Sequence, residues 1–162
     1  MTDSETIKAN FPLLIIPREL GLPTFQIVNE VHKKIKANDA SVSSSLSGGA
    51  HGILGLGLSP ATYRQITGSH FLRPNNPGAL PQNVTGTAVV MAEHTRRHKE
   101  ELCIFRQVEN FDLALKSQLI DVFDETYFRG LRNRHTGFAG VSYFQMITHL
   151  YTNRGTITAV DL

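Results

Sequence analysis

The stretch from Val108 to Gly155 constrains the fold most, because two amphipathic patterns follow one another within it. In the first pattern, apolar residues recur at steps of three and four, which places them on one face of a helix. These residues are Val108, Phe111 or Asp112, Leu115, Leu119, Val122 and Phe123. Asn110 can accept a free amide of the first turn, and Gly130 with the polar residues after it can end the helix. A helix over 110–132 is therefore predicted.

The second pattern predicts a helix over 141–153. Ser142 and Gln145 have the spacing of a capping box at its start. The apolar face of this helix comprises Tyr143, Phe144, Ile147, Leu150 and Tyr151. Two amphipathic helices joined by a short loop must bury their faces against each other and against further elements. We therefore expect Leu119 and Ile147 to be buried where the two helices pair.

Composition limits the classes of protein that fit. The chain of 162 residues has room for one domain or two small lobes, and 41% apolar residues can form a core. A net charge of +2 is too small for a dedicated nucleic-acid binder. The single cysteine, Cys103, excludes an internal disulfide or cysteine-based zinc site. Without a signal-like segment or an apolar run of about 18 residues, an intracellular, cytoplasmic protein outside the membrane is expected.

The expected fold is mainly α: a compact domain of four or five helices, with one Gly-rich and one Pro-rich loop. Besides the two helices above, the patterns predict helices over 24–43, 59–67 and 87–107. In the helix over 59–67, Ser59 is the N-cap and Pro60 the first helical residue. The helix over 24–43 is expected to place His32 and its neighbouring lysines on a solvated face.

The chain is divided into an extended N-terminal arm over 1–21 and a helical domain over 22–162. The arm contains the apolar run FPLLIIP between Pro12 and Pro17, which could be an edge strand or could dock on a neighbouring molecule. Thr158 and Asp161 have the spacing of a further capping box. The helical domain is therefore expected to continue beyond the last residue.

The loops contain no established motif for a ligand. Glycines over 48–57 lack the lysine and hydroxyl of a P-loop, which favours close backbone packing over phosphate binding. The loop over 71–81, FLRPNNPGALP, is expected to be exposed. His94 and His98 stand four apart on a helix, but Thr-Arg-Arg lies between them, without the glutamate of a metalloprotease. No catalytic, cofactor or metal residue is assigned, and neither a cofactor nor a small-molecule substrate is expected.

The densest positive patch is formed by Arg129, Arg132, Arg134 and His135. Cations at a helix C-terminus are favoured by the helix dipole, which is a sufficient structural explanation. Contact with RNA or with an acidic partner is the alternative.

Three segments resemble the N-terminal Gag-like region of copia-type LTR retrotransposon polyproteins of algae and related protists. They are the HG-x-LGL-x-LSP-x-x-Y run from His51, the F-x-RP-x-x-PG loop from Phe71 and the L-RNR-x-TG…HL ending from Leu131. The resemblance covers the chain from about Leu22 onward. It implies a helical, non-enzymatic capsid-type protein that self-associates and can package RNA. Arg154 stands where a tyrosine is commoner in that family, and the CCHC knuckle is missing.

Self-association is expected to use surfaces that the fold of one molecule leaves uncovered. The candidate residues are Phe11, Leu13, Leu14, Ile15, Ile16, Phe71, Leu72, Pro74 and Pro77. The alternative is a small helical adaptor that binds RNA or an acidic partner without particle assembly. A third class, an enzyme, would need a pocket lined by His51, His70 and loop Asn or Asp residues, and no spacing requires one.

Overall fold

A computed structural model describes residues 3–12, 18, 23–41, 54–80 and 86–152. These residues form five α-helices: α1 (Asp3–Ala9), α2 (Phe25–Ser41), α3 (Pro60–Thr67), α4 (Ala88–Val122) and α5 (Tyr143–Leu150). Two 3-10 helices, Leu54–Leu56 and Glu125–Leu131, complete the regular structure of these ranges. The described part contains no β-strand, only an isolated bridge between Asn133 and Gly137. The mainly α fold is confirmed.

Two helix starts follow the predicted capping chemistry. The side chain of Ser59 accepts a hydrogen bond from the Thr62 amide at 3.2 Å, and Pro60 is the first residue of α3. At α5, Ser142 accepts from the Gln145 amide while the Gln145 side chain accepts from the Ser142 amide. The predicted capping box is therefore confirmed, since both reciprocal bonds satisfy amides that lack a partner within the helix.

The prediction of two helices over 87–107 and 110–132 is wrong. One continuous helix of 35 residues, α4, begins after the N-cap Thr87 and ends at Val122. Asn110 lies inside it. No glycine or proline occurs within this helix, so nothing in the backbone forces the predicted break. The chain then continues as the 3-10 helix Glu125–Leu131, whose first turn is capped by Asp124.

The hydrophobic core lies where the C-terminal half of α4 meets α2, α5 and the second 3-10 helix. Leu119 and Ile147 are 0% and 1% exposed, as predicted. Val28, Val31 and Ile35 form the buried stripe of α2. The remaining fully or nearly fully buried members include Leu115, Val122, Phe123, Phe128, Tyr143, Met146 and Leu150.

The N-terminal part differs from the predicted extended arm. Residues Asp3–Ala9 form α1, which packs against α4. Lys8 forms an ion pair with Asp121 and donates a hydrogen bond to Ser117 Oγ at 3.0 Å. Phe11 is buried in the core. The arm prediction failed here because these partners come from α4, more than 100 residues away in the chain.

Several predictions fall on residues outside the described ranges. These are the self-association candidates Leu13, Leu14, Ile15 and Ile16, the glycines at 48, 49 and 52, and the predicted cap at Thr158. Among the described helices, none combines the length and the apolar character that a membrane span requires.

Candidate interaction surfaces

The N-terminal part of α4 stands outside the core. Its buried residues begin only at Val108, and every residue from Ala88 to Arg97 is exposed. At a rise of 1.5 Å per residue, the 20 residues before Val108 extend for about 30 Å. We call residues 88–107 the α4 extension. Its tip is apolar, with Val89, Val90 and Met91 exposed by 78%, 43% and 48%.

Charged side chains surround the α4 extension behind this tip. Arg96 pairs with Glu93 at 2.7 Å and with Glu100 at 3.0 Å, and Arg97 pairs with Glu93 at 3.3 Å. These pairs join positions three and four apart, which is the spacing that supports a helix from its own surface. The pKa of Glu93 is lowered to about 2, mainly by its hydrogen bonds from Arg96. The extension therefore has local support for its helical form apart from the core.

The Pro-rich loop is not free, because it lies along α4. Arg73 pairs with Glu109 at 2.7 Å, and His98 Nε2 donates to the carbonyl of Gly78 at 2.7 Å. Since the earlier loop residue contacts the later helix residue, the loop runs antiparallel to α4. The Phe71 ring packs against that of Tyr63, with centroids 5.4 Å apart.

This docking corrects part of the predicted self-association surface. Phe71 packs against the core of its own molecule, and Pro74 and Pro77 are half-buried rather than fully exposed. Phe11, as noted, is buried in the core. Leu72 is 78% exposed and remains available for contact with another molecule. The exposed apolar tip of α4 was not among the predicted self-association residues.

The predicted basic patch is present on the surface, although not at the end of an α-helix. Its four residues, Arg129, Arg132, Arg134 and His135, are all exposed. The last two lie in the turn between Asn133 and Gly137, where Asn133 Oδ1 accepts the amide of His135 at 2.8 Å. Gly137 supplies the left-handed conformation of this turn, with φ of 63°. None of the four forms an ion pair with another described residue.

A groove of about 650 Å³ lies between α1 and α4. Ile7 lines it on one side, and Leu102, Cys103 and Arg106 line it on the other. Within the described ranges, no three His, Cys, Asp or Glu side chains are grouped to hold a metal ion. His98 is engaged with the Gly78 carbonyl instead of forming a metal pair with His94.

A buried polar cluster links α2, α4 and α5. His32 Nδ1 and the Tyr143 hydroxyl are hydrogen-bonded at 2.7 Å, and Asn38 donates to Gln118 at 3.0 Å. Asp112 Oδ1 accepts the amide of Tyr143 at 3.0 Å. The prediction that His32 faces solvent is therefore wrong, because α5 places a hydroxyl partner beside it.

Lys116 also belongs to this cluster and holds the turn that precedes α5. Its Nζ donates to the carbonyls of Phe138 and Val141 at 3.0 and 2.7 Å. Burial lowers the pKa of Lys116. The sequence signal that could have revealed this cluster is the presence of polar residues on the apolar face of a helix. Asp112 and Lys116 are two such residues, four apart among the buried residues of α4.

Burial dominates the titration of the cluster. It lowers the pKa of His32 to about 4, with a smaller contribution from Lys36. It raises the pKa of Asp112, whereas the hydrogen bond from the Tyr143 amide and the charge of Arg73 lower it.

Comparison with known proteins adds no assignment, because no family model, curated protein or solved structure matches this chain.

Proposed function

We propose that this chain is a non-enzymatic, Gag-like capsid-type domain that works in the cytoplasm, associates with further copies of itself and can package RNA. The three motif segments described above suggest the class of protein. The α4 extension is the observation that carries the proposal, because it presents apolar side chains on a helix that stands apart from the core.

Contact between copies would remove this apolar tip from water. Burying apolar surface contributes about 25 cal/mol for each Å². The three side chains of the tip cannot hold two molecules together firmly at that rate. A particle nevertheless needs only weak single contacts, since an assembly multiplies them through high local concentration. A short apolar tip is therefore compatible with assembly.

The Pro-rich loop supports the same proposal through Leu72. The neighbouring Arg73 forms an ion pair with Glu109, and His98 donates a hydrogen bond to the carbonyl of Gly78 in the same loop. A fastened loop loses less conformational entropy on binding than a free one. Leu72 can thus contribute to a contact without ordering the whole loop.

Light scattering on the purified chain, over a range of protein and salt concentrations, tests the proposal. We expect large assemblies from the parent, and their loss in the double variant Val89→Ser/Met91→Ser. The matched control is Ile66→Ser/Leu113→Ser, which removes exposed apolar side chains from α3 and from the C-terminal half of α4. Circular dichroism should show unchanged helix content in both variants. A parent that stays monomeric under all conditions would rule out the capsid-type function.

If the control variant loses assembly and the tip variant keeps it, self-association stands but uses another surface. Loss in both variants would point to a general dependence on surface hydrophobicity. Only selective loss in the tip variant supports the α4 extension as the contact.

A second candidate function is favoured by the basic patch. Four exposed cationic or titratable side chains without ion-pair partners among the described residues suit an RNA or an acidic partner. In this case the chain would be a monomeric adaptor. We expect a single-stranded RNA to bind with an affinity that falls as salt rises.

Fluorescence anisotropy with a labelled homopolymeric RNA distinguishes the candidates. Arg132→Gln/Arg134→Gln should weaken binding and reduce its salt dependence. Lys33→Gln/Lys34→Gln removes the same charge from an exposed part of α2 and is the matched control. Equal effects of the two variants would show that only net charge matters, which would remove the case for a specific patch.

A further inference from the structure

Residues 54–71, which we call the α3 flap, are joined by contacts among themselves and pack against α2 and the core. The Phe71 ring stacks edge-on against Tyr63, with ring centroids 5.4 Å apart. The same ring lies so close to Gly55 that a methyl group added there would overlap it. The flap therefore joins the first 3-10 turn, α3 and Phe71 into one unit.

The flap meets α2 at Gly57. A methyl group at Gly57 would lie 3.1 Å from Asp39 Oδ2 and 3.5 Å from both Lys36 Cγ and Tyr143 Cε1. Leu56 and Leu58, on either side of Gly57, are buried. The backbone of the flap thus closes directly over the Asp39 carboxyl group.

Asp39 is an unusual residue to find under such a contact. Its side chain is fully buried, and no described side chain donates a hydrogen bond to either carboxyl oxygen. Burying an ionised carboxylate without a partner is costly, so such a group retains its proton.

The charged groups around this position serve Asp112 rather than Asp39. On α4, Asp112 accepts a hydrogen bond from the Tyr143 amide and lies 3.6 Å from Arg73 of the Pro-rich loop. The charge of Lys116 lowers the pKa of Asp112, and that of Glu109 raises it. From α2, Lys36 lies beside Gly57, and His32 is bonded to the hydroxyl of Tyr143 from α5. The negative charge of the two carboxyl groups is therefore best placed on Asp112.

The electrostatic surroundings of Asp39 agree with this arrangement. Burial first, and then the charge of Asp112, raise the pKa of the Asp39 carboxyl well above its usual value, while the Gly57 amide acts in the opposite direction. In a flap that has opened, water would reach Asp39 and its pKa would return to about 4.

We propose that the α3 flap is a proton-controlled latch, closed over α2 while Asp39 holds its proton and opened as that proton passes to solvent. Opening separates Gly57 from Asp39 and lets water solvate the carboxylate. It also uncovers Leu56 and Leu58, which are buried when the flap is closed. This device is independent of the function proposed above, since it needs neither a second copy nor RNA.

Proton linkage sets how steeply the latch responds. The open state binds a proton less tightly than the closed state, so opening becomes about tenfold more frequent for each pH unit from about 4 up to the closed-state pKa. Above that pKa the frequency is constant. The pH dependence contributed by His32 runs in the opposite direction. Because its pKa is lowered to about 4, low pH favours states in which His32 is exposed.

Hydrogen–deuterium exchange of the whole chain, corrected for the pH dependence of intrinsic exchange, tests the latch. We expect protection over 54–71 to fall about tenfold per pH unit over this range, while protection in α5 and the C-terminal half of α4 falls less. In Asp39→Asn the slope should vanish. Asp121→Asn, which changes an exposed carboxyl on α4, should keep it. Equal slopes in the flap and in α5 would mean that Asp39 responds only to global unfolding, and the latch would be rejected.

A measurement on the unchanged chain covers the case in which Asp39→Asn does not fold. Carbon-13 NMR of the aspartate carboxyl groups follows Asp39 directly through a pH titration. We expect one buried carboxyl to titrate well above the exposed aspartates. If every aspartate in the folded chain titrates near pH 4, Asp39 holds no retained proton and the proposal is overturned.

Discussion

Arg73 and Asp112 connect the Pro-rich loop to the core. Their Nη2 and Oδ2 atoms lie 3.6 Å apart, and the other oxygen of Asp112 accepts the amide of Tyr143, the first residue of α5. One buried carboxylate thus joins a loop, the middle of the longest helix and the start of the last helix.

This junction gives the first prediction. Changing Arg73 to Met removes the cation and leaves Asp112 buried with a single amide partner. We expect the free energy of unfolding to fall by about 1–2 kcal/mol, less than for a fully buried pair because Arg73 is partly exposed. Urea denaturation measures it. Arg97→Met, on the exposed α4 extension, is the control and should change the stability by less than about 0.5 kcal/mol.

The core prediction concerns Leu119 and Ile147. Each is fully or almost fully buried, so replacement by Ala leaves a cavity and should cost about 2–5 kcal/mol. Leu113→Ala, on an exposed position of the same helix, should cost much less. Denaturant midpoints that moved equally for Leu113 and Leu119 would contradict the arrangement of α4 described here.

The contact between Gly55 and Phe71 should be visible as non-additivity. Gly55→Ala places a methyl group where the Phe71 ring lies, and overpacking of this kind costs about 1–3 kcal/mol. In a Phe71→Ala background the methyl group meets no ring, so the same change should cost clearly less. A double-mutant cycle from thermal or urea unfolding measures the difference. Strictly additive effects would show that Gly55 and Phe71 do not touch in solution.

His32 predicts a loss of stability in mild acid. Its folded-state pKa of about 4 lies below the unfolded value of about 6.5, so the unfolded chain takes up this proton first. The contribution of neutral His32 is therefore complete above pH 6.5 and is lost as pH falls toward 4. At about 1.4 kcal/mol per pKa unit, the loss reaches at most about 3.5 kcal/mol.

Urea unfolding at several pH values between 4 and 7 measures this loss in the parent and in His32→Gln. The stability difference between the parent and the variant should be largest at neutral pH and should shrink as pH falls toward 4, because this difference isolates the contribution of His32. Asp39 acts in the opposite direction over the same range, because its raised pKa makes stability decline as pH rises from about 4. Asp39→Asn should therefore steepen the acid loss. An Asp39→Asn profile identical to that of the parent would contradict the burial of a protonated carboxyl group.

Local sequence determined the parts of the fold that depend on neighbouring residues. The Ser59–Pro60 start of α3 and the capping box of α5 involve side chains and amides only three residues apart. Helical periodicity likewise identified Leu119 and Ile147 as core residues, since which residues share a helix face follows from their spacing. The mainly α fold class followed from the same patterns.

Tertiary structure decided what depends on residues distant in the chain. Asn110 is a capable cap, but α4 continues through it, because Val108 and Phe111 on either side are buried and no glycine or proline interrupts the helix. His32 is buried where Tyr143, 111 residues later, provides its hydrogen bond, and α1 packs on α4, where Lys8 pairs with Asp121. Periodicity reports which residues lie together on a face, whereas burial depends on which element covers that face. That covering is why the α4 tip and Leu72 are exposed while Phe11 is not.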